Sequence, residues 1–210
     1  MANAVETRDD ACRARREEIL DAATDLFAQH GYNDADTQAL ADRLKIGKGT
    51  IYRHFHCKKD LFLAAVDRVM RRMQEAICIS AEEIGDPLDR LAVTLRAYLD
   101  FFANHPKYVE LLIQERALFR DRETPTYFAY RERNFARWQE VYRSLIAEGR
   151  LRDLPAERIT MVVGHLVYGT MFTNYFAGQQ ASSETQAREI LDIVFLGILS
   201  DEARRQAVGG

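Results

Sequence analysis

Residues 37–61 decide the fold of the N-terminal part of this chain, and they read Thr-Gln-Ala-Leu-Ala-Asp-Arg-Leu-Lys-Ile-Gly-Lys-Gly-Thr-Ile-Tyr-Arg-His-Phe-His-Cys-Lys-Lys-Asp-Leu. Leu40 and Leu44 stand at helical spacing behind a Thr or Asp cap, which predicts an amphipathic helix of about two turns. After a tight turn, Ile51 and Phe55 are four residues apart, which predicts a second helix with both side chains on its inner face. Two short helices joined in this way predict a helix-turn-helix, whose second helix enters the major groove of DNA.

The same stretch carries a local concentration of positive charge. Between Arg43 and Lys59 there are six Lys or Arg residues and no Asp or Glu, whereas the whole chain has a formal net charge of -3. Neutralising DNA phosphates requires a local basic patch rather than a basic protein. On charge alone, a solvated basic loop is the alternative interpretation.

Residue identities make the interpretation more specific. Residues 49–55 read Gly-Thr-Ile-Tyr-Arg-His-Phe and are followed by Lys58 and Leu61. This pattern resembles the Gly-Thr-Leu-Tyr-x-His-Phe-x-x-Lys-x-x-Leu signature of the TetR/AcrR family of bacterial transcriptional regulators. The resemblance extends to residues 16–32, which look like the first helix of that family and the turn after it.

The resemblance implies which residues contact DNA. They are Thr37, Gln38, Lys48, Gly49, Thr50, Tyr52, Arg53, His54 and Lys58. Hydroxyl, imidazole and ammonium groups are common phosphate partners, and such contacts position a protein without reading sequence. Base reading is implied for Lys48 and Arg53, which can donate to guanine O6 and N7.

Two residues depart from the family pattern. Lys45 stands where the family often has Gly, so a non-glycine residue must hold the turn, and a positive φ there costs around 1 kcal/mol. Cys57 stands where a Ser often caps the fourth helix, so we expect that helix start to be less well capped.

Composition places the chain among ordinary globular proteins. It has 210 residues, of which 47% are hydrophobic and 29% charged, enough for one or two domains. No run approaches the roughly 18 apolar residues of a membrane span, and the N-terminus lacks the apolar core of a signal peptide. Three cysteines without a C-x-x-C pair fit a reducing, cytoplasmic setting.

The pattern of helix signals predicts an all-α fold of about nine helices. The helix starts and stops include Gly31, Asp86-Pro87, Pro106 and a capping box of Ser183 with Gln186. The predicted organisation is a disordered arm over 1–11, a helix-turn-helix domain over 12–57, and a larger helical domain over 58–206. Helix four, which begins near Lys58, connects the last two.

Helix eight is unusual because residues 159–176 carry no charge and are apolar nearly all round, which indicates burial on more than one side. The family resemblance implies dimerisation through the last two long helices, and a monomer with a central helix is the alternative. The residues predicted for the dimer interface are Gly164, Gly169, Leu191, Val194, Phe195 and Ile198.

Aromatic stripes on helices five to eight stand where the family encloses an inducer pocket. The predicted ligand-binding residues are Tyr98, Phe102, Glu115, Arg116, Trp138, Tyr142, His165, Tyr168 and Phe172. Core packing is the alternative for any single aromatic residue and for His165. For Glu115 and Arg116, the alternative is a salt bridge within the protein.

The resulting hypothesis is a homodimeric repressor that a small apolar or aromatic effector releases from operator DNA, with no cofactor, metal or membrane. No catalytic or nucleotide-binding fingerprint is present. A metal site at His54-Phe55-His56-Cys57 is a remote alternative, because its donors lie among competing cations. A DNA-binding protein without an effector is the nearer one.

Overall fold

The computed structural model describes residues 2–179 and 181–197, with side chains from Asp10 onward. Over these residues the chain is built from nine helices and contains no strand, which confirms the predicted all-α class. The helices are α1 (Ala2–Asp34), α2 (Thr37–Arg43), α3 (Lys48–His54), α4 (Lys58–Ala81), α5 (Pro87–Asn104), α6 (Pro106–Leu118), α7 (Thr126–Ala147), α8 (Ala156–Ala177) and α9 (Ser183–Leu196).

Local signals set most helix ends. The Asp86 carboxylate accepts hydrogen bonds from the backbone N–H groups of Leu88 (2.8 Å) and Asp89 (3.2 Å), and Pro87 is the first residue of α5. Proline suits a first helical position because its missing N–H has no helical partner there. Pro106 begins α6 in the same way.

Two helix starts differ from prediction. Residues 2–11, expected to be a disordered arm, form the first turns of α1, and no Pro or Gly interrupts the chain before Gly31. The cap of α9 is Ser182 rather than Ser183, because Ser182 has the extended backbone of a cap residue and its Oγ accepts from the Thr185 N–H at 3.1 Å. The Ser183 side chain is buried.

One compact unit comprises the described residues up to Glu75 together with residues 105–133. We call it the N-terminal unit. Its core contains Phe27, Leu40, Ile51 and Phe62, each at most 1% exposed, and α1 packs against both α2 and α6. The unit therefore holds the helix-turn-helix and α6 in one packed body.

The second compact unit, the C-terminal unit, comprises residues 76–104 and the described residues from Asn134 onward. Within it α5 packs against α8 and α9. Leu91, Tyr142, Leu145 and Ala156 form a buried cluster, with Trp138 packed against it. None of the described helices combines the length and the apolarity that crossing a bilayer requires.

Candidate nucleic-acid interface

The start of α2 is fixed by its cap and by a contact with α3. Asp36 Oδ1 accepts from the Gln38 N–H at 2.7 Å, and Gln38 Nε2 donates to Asp42 Oδ1 at 2.8 Å. Thr37 is buried, with 4% of the residue exposed, and its hydroxyl lies 3.0 Å from the Tyr52 hydroxyl. Two predicted phosphate contacts, one from each helix, thus lie at the same point.

Helix α3 presents its polar side chains outward because Ile51 anchors the opposite face with no exposed area. Lys48, Gly49 and Arg53 are exposed, and Thr50 is half-buried. Its cap residue, Gly47, has no side chain to bond the first N–H groups. Helix α3 therefore combines the buried side chain of Ile51 with the exposed cationic side chains of Lys48 and Arg53.

The turn between α2 and α3 has the strain expected from its sequence. Lys45 is the one non-glycine residue with positive φ among those described, at +54°. This confirms that a lysine occupies a left-handed position which glycine adopts more easily.

Protein groups already hold three of the six cations of this region. Arg43 pairs with Asp25 (3.7 Å), Lys59 pairs with Asp121 (3.4 Å), and Lys58 Nζ donates to the Asn33 carbonyl (3.1 Å). Lys45, Lys48 and Arg53 are exposed and make no ion pair with any residue whose side chain is described. Lys58 also keeps its charge, because a backbone carbonyl is neutral, so the positive charge of this region that has no ion pair among the described side chains lies on Lys45, Lys48, Arg53 and Lys58.

His54, the last residue of α3, is half-buried. Burial lowers the pKa of its imidazole below the ordinary value, and the neighbouring Arg53, Arg16 and Arg15 lower it further. His54 is therefore neutral at pH 7 and can donate one N–H to a phosphate without adding charge. His56 and Cys57 are exposed, and the described side chains include no group of three or more His, Cys, Asp or Glu arranged to hold a metal ion.

Two of the predicted ligand-binding aromatics meet inside the C-terminal unit. Tyr98 and Phe102 on α5 are both buried, with ring centroids 5.1 Å apart. The Tyr98 hydroxyl donates to Met171 Sδ of α8 at 3.1 Å. Tyr168 and Phe172, half-buried on α8, contact each other at 4.7 Å between ring centroids.

Trp138 and Tyr142 lie elsewhere in the unit, at the cluster around Leu91 and Leu145. Tyr142 is 2% exposed, and burial raises the pKa of its hydroxyl to about 12, so it stays neutral. Their surroundings are those of core residues.

Two of the three polar candidates belong to the other unit, and the third is exposed. Glu115 and Arg116 belong to the N-terminal unit, where the Glu115 carboxylate is bound by Arg122 and Thr126 and the Arg116 side chain is exposed. This is the salt bridge within the protein that stood as the alternative for Glu115. His165 is exposed on α8, facing away from the interior of its unit.

An apolar stripe is exposed along α8 and the end of α9. Its large members are Met161 (45% exposed), Val162 (45%), Leu166 (41%), Phe176 (72%), Ile193 (55%) and Leu196 (61%). His165 and Gly169 lie on the same exposed face of α8. Contiguous apolar surface of this kind is a common feature of protein–protein interaction sites.

The predicted interface residues lie only partly on this stripe, and those described on α9 are half-buried. Gly169 is on the stripe, and a Cβ added at Gly164 or Gly169 would meet no other atom within 4 Å. Leu191 and Phe195 instead line a cleft of about 470 Å³ between α5 and α9, and Phe195 packs against the buried cluster. Val194 is half-buried, and Ile198 lies outside the described residues.

Comparison with known families supplies the decisive observation. Residues 19–65 match the family "Bacterial regulatory proteins, tetR family". Residues 84–195, more than half of the 210-residue chain, match "Tetracyclin repressor-like, C-terminal domain". The chain belongs to the TetR family.

Two curated TetR-family relatives show how far the likeness extends. The chain is 28% identical over 100 residues to the HTH-type transcriptional activator FasR of Mycolicibacterium smegmatis, which covers 48% of this chain and 46% of FasR. It therefore spans less than half the length of that relative. It is 24% identical over 202 residues to the HTH-type transcriptional repressor KstR2 of the same species, covering 92% of this chain and 95% of KstR2.

A solved structure confirms the TetR fold. The transcriptional regulator FadR of Bacillus subtilis, in complex with stearoyl-CoA, superposes with a TM-score of 0.68 at 17% sequence identity. The superposition covers 87% of this chain and 99% of that one.

The sequence pattern missed the residues that brace this TetR-type head. Arg68 of α4 donates to Glu17 (2.7 Å) and Asp21 (2.8 Å) of α1, and Gln114 of α6 accepts from the Tyr32 N–H at 2.7 Å. These contacts join residues 47 to 82 positions apart, and helical periodicity gives no signal over such separations.

Proposed function

We propose that the protein is a homodimeric transcriptional regulator that binds operator DNA through α3 and represses transcription until a small apolar or aromatic effector releases it. The observation that carries the proposal is the exposure of both Lys48 and Arg53 on α3, close in sequence to the Thr37–Tyr52 hydroxyl pair, in a chain of the TetR family. A buried anchor and exposed donors are what a helix needs to enter the major groove.

The proposed division of labour on DNA follows from side-chain chemistry. Thr50, Tyr52, His54 and Lys58 contact phosphates, with Thr37 and Gln38 at the start of α2 adding two more polar groups. Lys48 and Arg53 read base edges, because both are exposed and long enough to donate to guanine. Gly49, exposed and without a side chain, lets the backbone approach the DNA.

A homodimer through α8 and α9 is supported by the exposed apolar stripe. Helix-turn-helix proteins gain specificity by pairing two half-sites, and the interface must therefore relate two heads by symmetry. The stripe offers Met161, Leu166 and Ile193 for burial, with Gly169 allowing close approach. Leu191 and Phe195 act on the interface indirectly, because they pack α9 against the rest of its own unit.

The effector site proposed is in the aromatic interior of the C-terminal unit. Tyr98 and Phe102 of α5 and Phe172 of α8 supply apolar surface, and the Tyr98 hydroxyl supplies a polar group that a ligand can bind in place of Met171. An apolar or aromatic molecule with one polar group fits such a lining.

Selection of bound fragments from a random DNA pool tests the function. We expect an inverted repeat whose half-sites lie about 34–36 Å apart or a multiple of that distance. A promoter fused to a reporter and carrying the selected site should be silenced by the protein. Enrichment of no sequence over the starting pool would contradict the proposal.

A thermal-shift screen of small molecules, followed by calorimetry with and without the selected DNA, tests the effector. A ligand that releases the protein must itself bind more weakly when DNA is present, by a coupling of about 1–3 kcal/mol. Equal ligand affinity in both titrations would favour a regulator that this ligand does not control.

A further inference from the structure

A side chain of α6, that of Gln114, binds the backbone of residues 31–33, the turn at the Gly31 kink near the end of α1. Gln114 Oε1 accepts the Tyr32 backbone N–H at 2.7 Å, and Gln114 Nε2 donates to Glu110 at 2.9 Å. The amide is thereby oriented by its own helix and used to hold a residue 82 positions away.

Gly31, which precedes Tyr32, leaves space for this hydrogen bond. Gly31 has φ +73°, and a Cβ at that position would lie 2.8 Å from Gln114 Nε2, closer than real side chains approach. Glycine leaves room for the Gln114 amide and adopts this positive φ without strain, whereas another residue would displace the amide.

The same turn contacts Lys58, which is one of the proposed DNA-binding residues. Lys58 Nζ lies 5.2 Å from the centroid of the Tyr32 ring and donates to the Asn33 carbonyl at 3.1 Å. The ammonium is therefore held by two successive residues of the turn, one through its ring and one through its backbone. Displacement of the turn would remove both of these contacts of the Lys58 ammonium.

Aromatic packing fixes the other side of the Tyr32 ring. Its centroid lies 5.1 Å from that of Phe62 and 5.1 Å from that of Phe119, both nearly perpendicular to it. Phe119 directly follows α6, so α6 reaches the turn at two points, by Gln114 to the backbone and by Phe119 to the ring.

We propose that Gln114 is a positioning residue for DNA binding, which holds the Gly31–Asn33 turn so that Lys58 meets a phosphate. The inference rests on the proposed operator-binding function and deepens it. Gln114 itself touches no DNA in this account, because its amide faces Tyr32 and Glu110.

The test uses Gln114→Met, which keeps the length of the side chain and removes the acceptor. With the operator selected from a random pool, fluorescence anisotropy should show at least about a fivefold loss of affinity, the lower end of typical coupling between sites. Introducing Gln114→Met into a Lys58→Ala background should cause little further loss, because the residue that Gln114 positions is already absent.

A rescue variant separates positioning from general damage to the fold. Glu110→Gln with Gln114→Glu exchanges donor and acceptor along α6 while keeping an oxygen aimed at the Tyr32 N–H. We expect this double variant to bind operator within about twofold of the wild type, the usual scatter of additive effects. Gln114→Glu alone places two carboxylates one helical turn apart and should bind less well.

The outcomes distinguish a failure of the Gln114 positioning role from a failure of the proposed operator-binding function. Wild-type protein that binds no duplex would remove the proposed function. Wild-type protein that binds operator, with Gln114→Met binding equally well, would overturn the positioning role alone. Equal losses from Gln114→Met in the wild-type and Lys58→Ala backgrounds would also overturn it, because the residue would then act independently of Lys58.

Discussion

The buried carboxylate of Glu115 gives the sharpest stability prediction. Glu115 is 1% exposed, and its Oε1 accepts from Arg122 Nη1 (2.7 Å), from the Thr126 hydroxyl (2.7 Å) and from the Thr126 N–H (3.0 Å). It therefore fastens the end of α6 to the first residue of α7. We predict that Glu115→Ala destabilises the protein while leaving its affinity for an effector unchanged.

The loss of stability depends on Arg122 and Thr126, the groups that lose their partner in Glu115→Ala. Removing one partner of a buried ion pair costs about 3–5 kcal/mol, and Arg122, which is 30% exposed, can regain water, so the lower end applies. For a chain of this size, about 3 kcal/mol lowers the melting temperature by about 6–12 °C. Glu115→Gln keeps an oxygen for the Oε1 bonds but loses the charge, and should cost about 1–2 kcal/mol.

Thermal and urea denaturation measure these changes. The matched control is Glu132→Ala, since Glu132 is exposed on α7 and should change stability by no more than about 0.5 kcal/mol. If Glu115→Ala melted like the wild type and lost effector binding, Glu115 would be a ligand group and the structural account of it would be refuted.

Three further predictions concern assembly, pH and the strained turn. Leu166→Asp should split the dimer without unfolding the protein, because the stripe is exposed in the single chain, whereas Phe195→Asp should unfold the C-terminal unit; light scattering with circular dichroism separates the two. The pKa of the His54 imidazole is lower in the folded state than its ordinary value of 6.5, so the unfolded chain binds more protons once the pH drops below 6.5. The free energy of unfolding should therefore decrease as the pH is lowered from 6.5, and His54→Gln should remove this decrease in urea titrations. Lys45→Gly should relieve a positive φ and, after the added entropy of the unfolded chain, stabilise the protein by up to about 1 kcal/mol in thermal melts; a loss of stability would contradict the strain.

Local chemistry explains what could be predicted from sequence. Pro87 and Pro106 act within one helical turn of their own positions, and the two helix starts that they set were correct. Gly31, the predicted end of the first helix, has a non-helical backbone (φ +73°), but α1 continues beyond this kink to Asp34. Ser182 and Ser183 carry the same side chain, and only the backbone conformation of the folded chain distinguishes the cap from its neighbour.

The interior of the protein was harder to predict because its side chains contact residues that are distant in the sequence. The sequence left a salt bridge within the protein as the alternative for Glu115, but the partners Arg122 and Thr126 depend on how the loop after α6 folds back. Likewise, the aromatic stripes of α5 and α8 were visible, whereas the separation of Tyr98 from the Tyr142 cluster depends on how the helices pack. His165 sits on an apolar helix, yet lies on the face that the unit leaves exposed.

The most direct test of the central claim is a comparison of specific and random DNA binding by Lys48→Ala, measured by fluorescence anisotropy on the selected operator across a salt series. The control is Arg152→Ala, an exposed arginine in the loop before α8. We predict that Lys48→Ala loses about 1–3 kcal/mol of preference for the operator while retaining most of its affinity for random DNA, because Lys48 reads a base edge. Unchanged binding of both DNAs by Lys48→Ala would contradict the placement of α3 in the major groove.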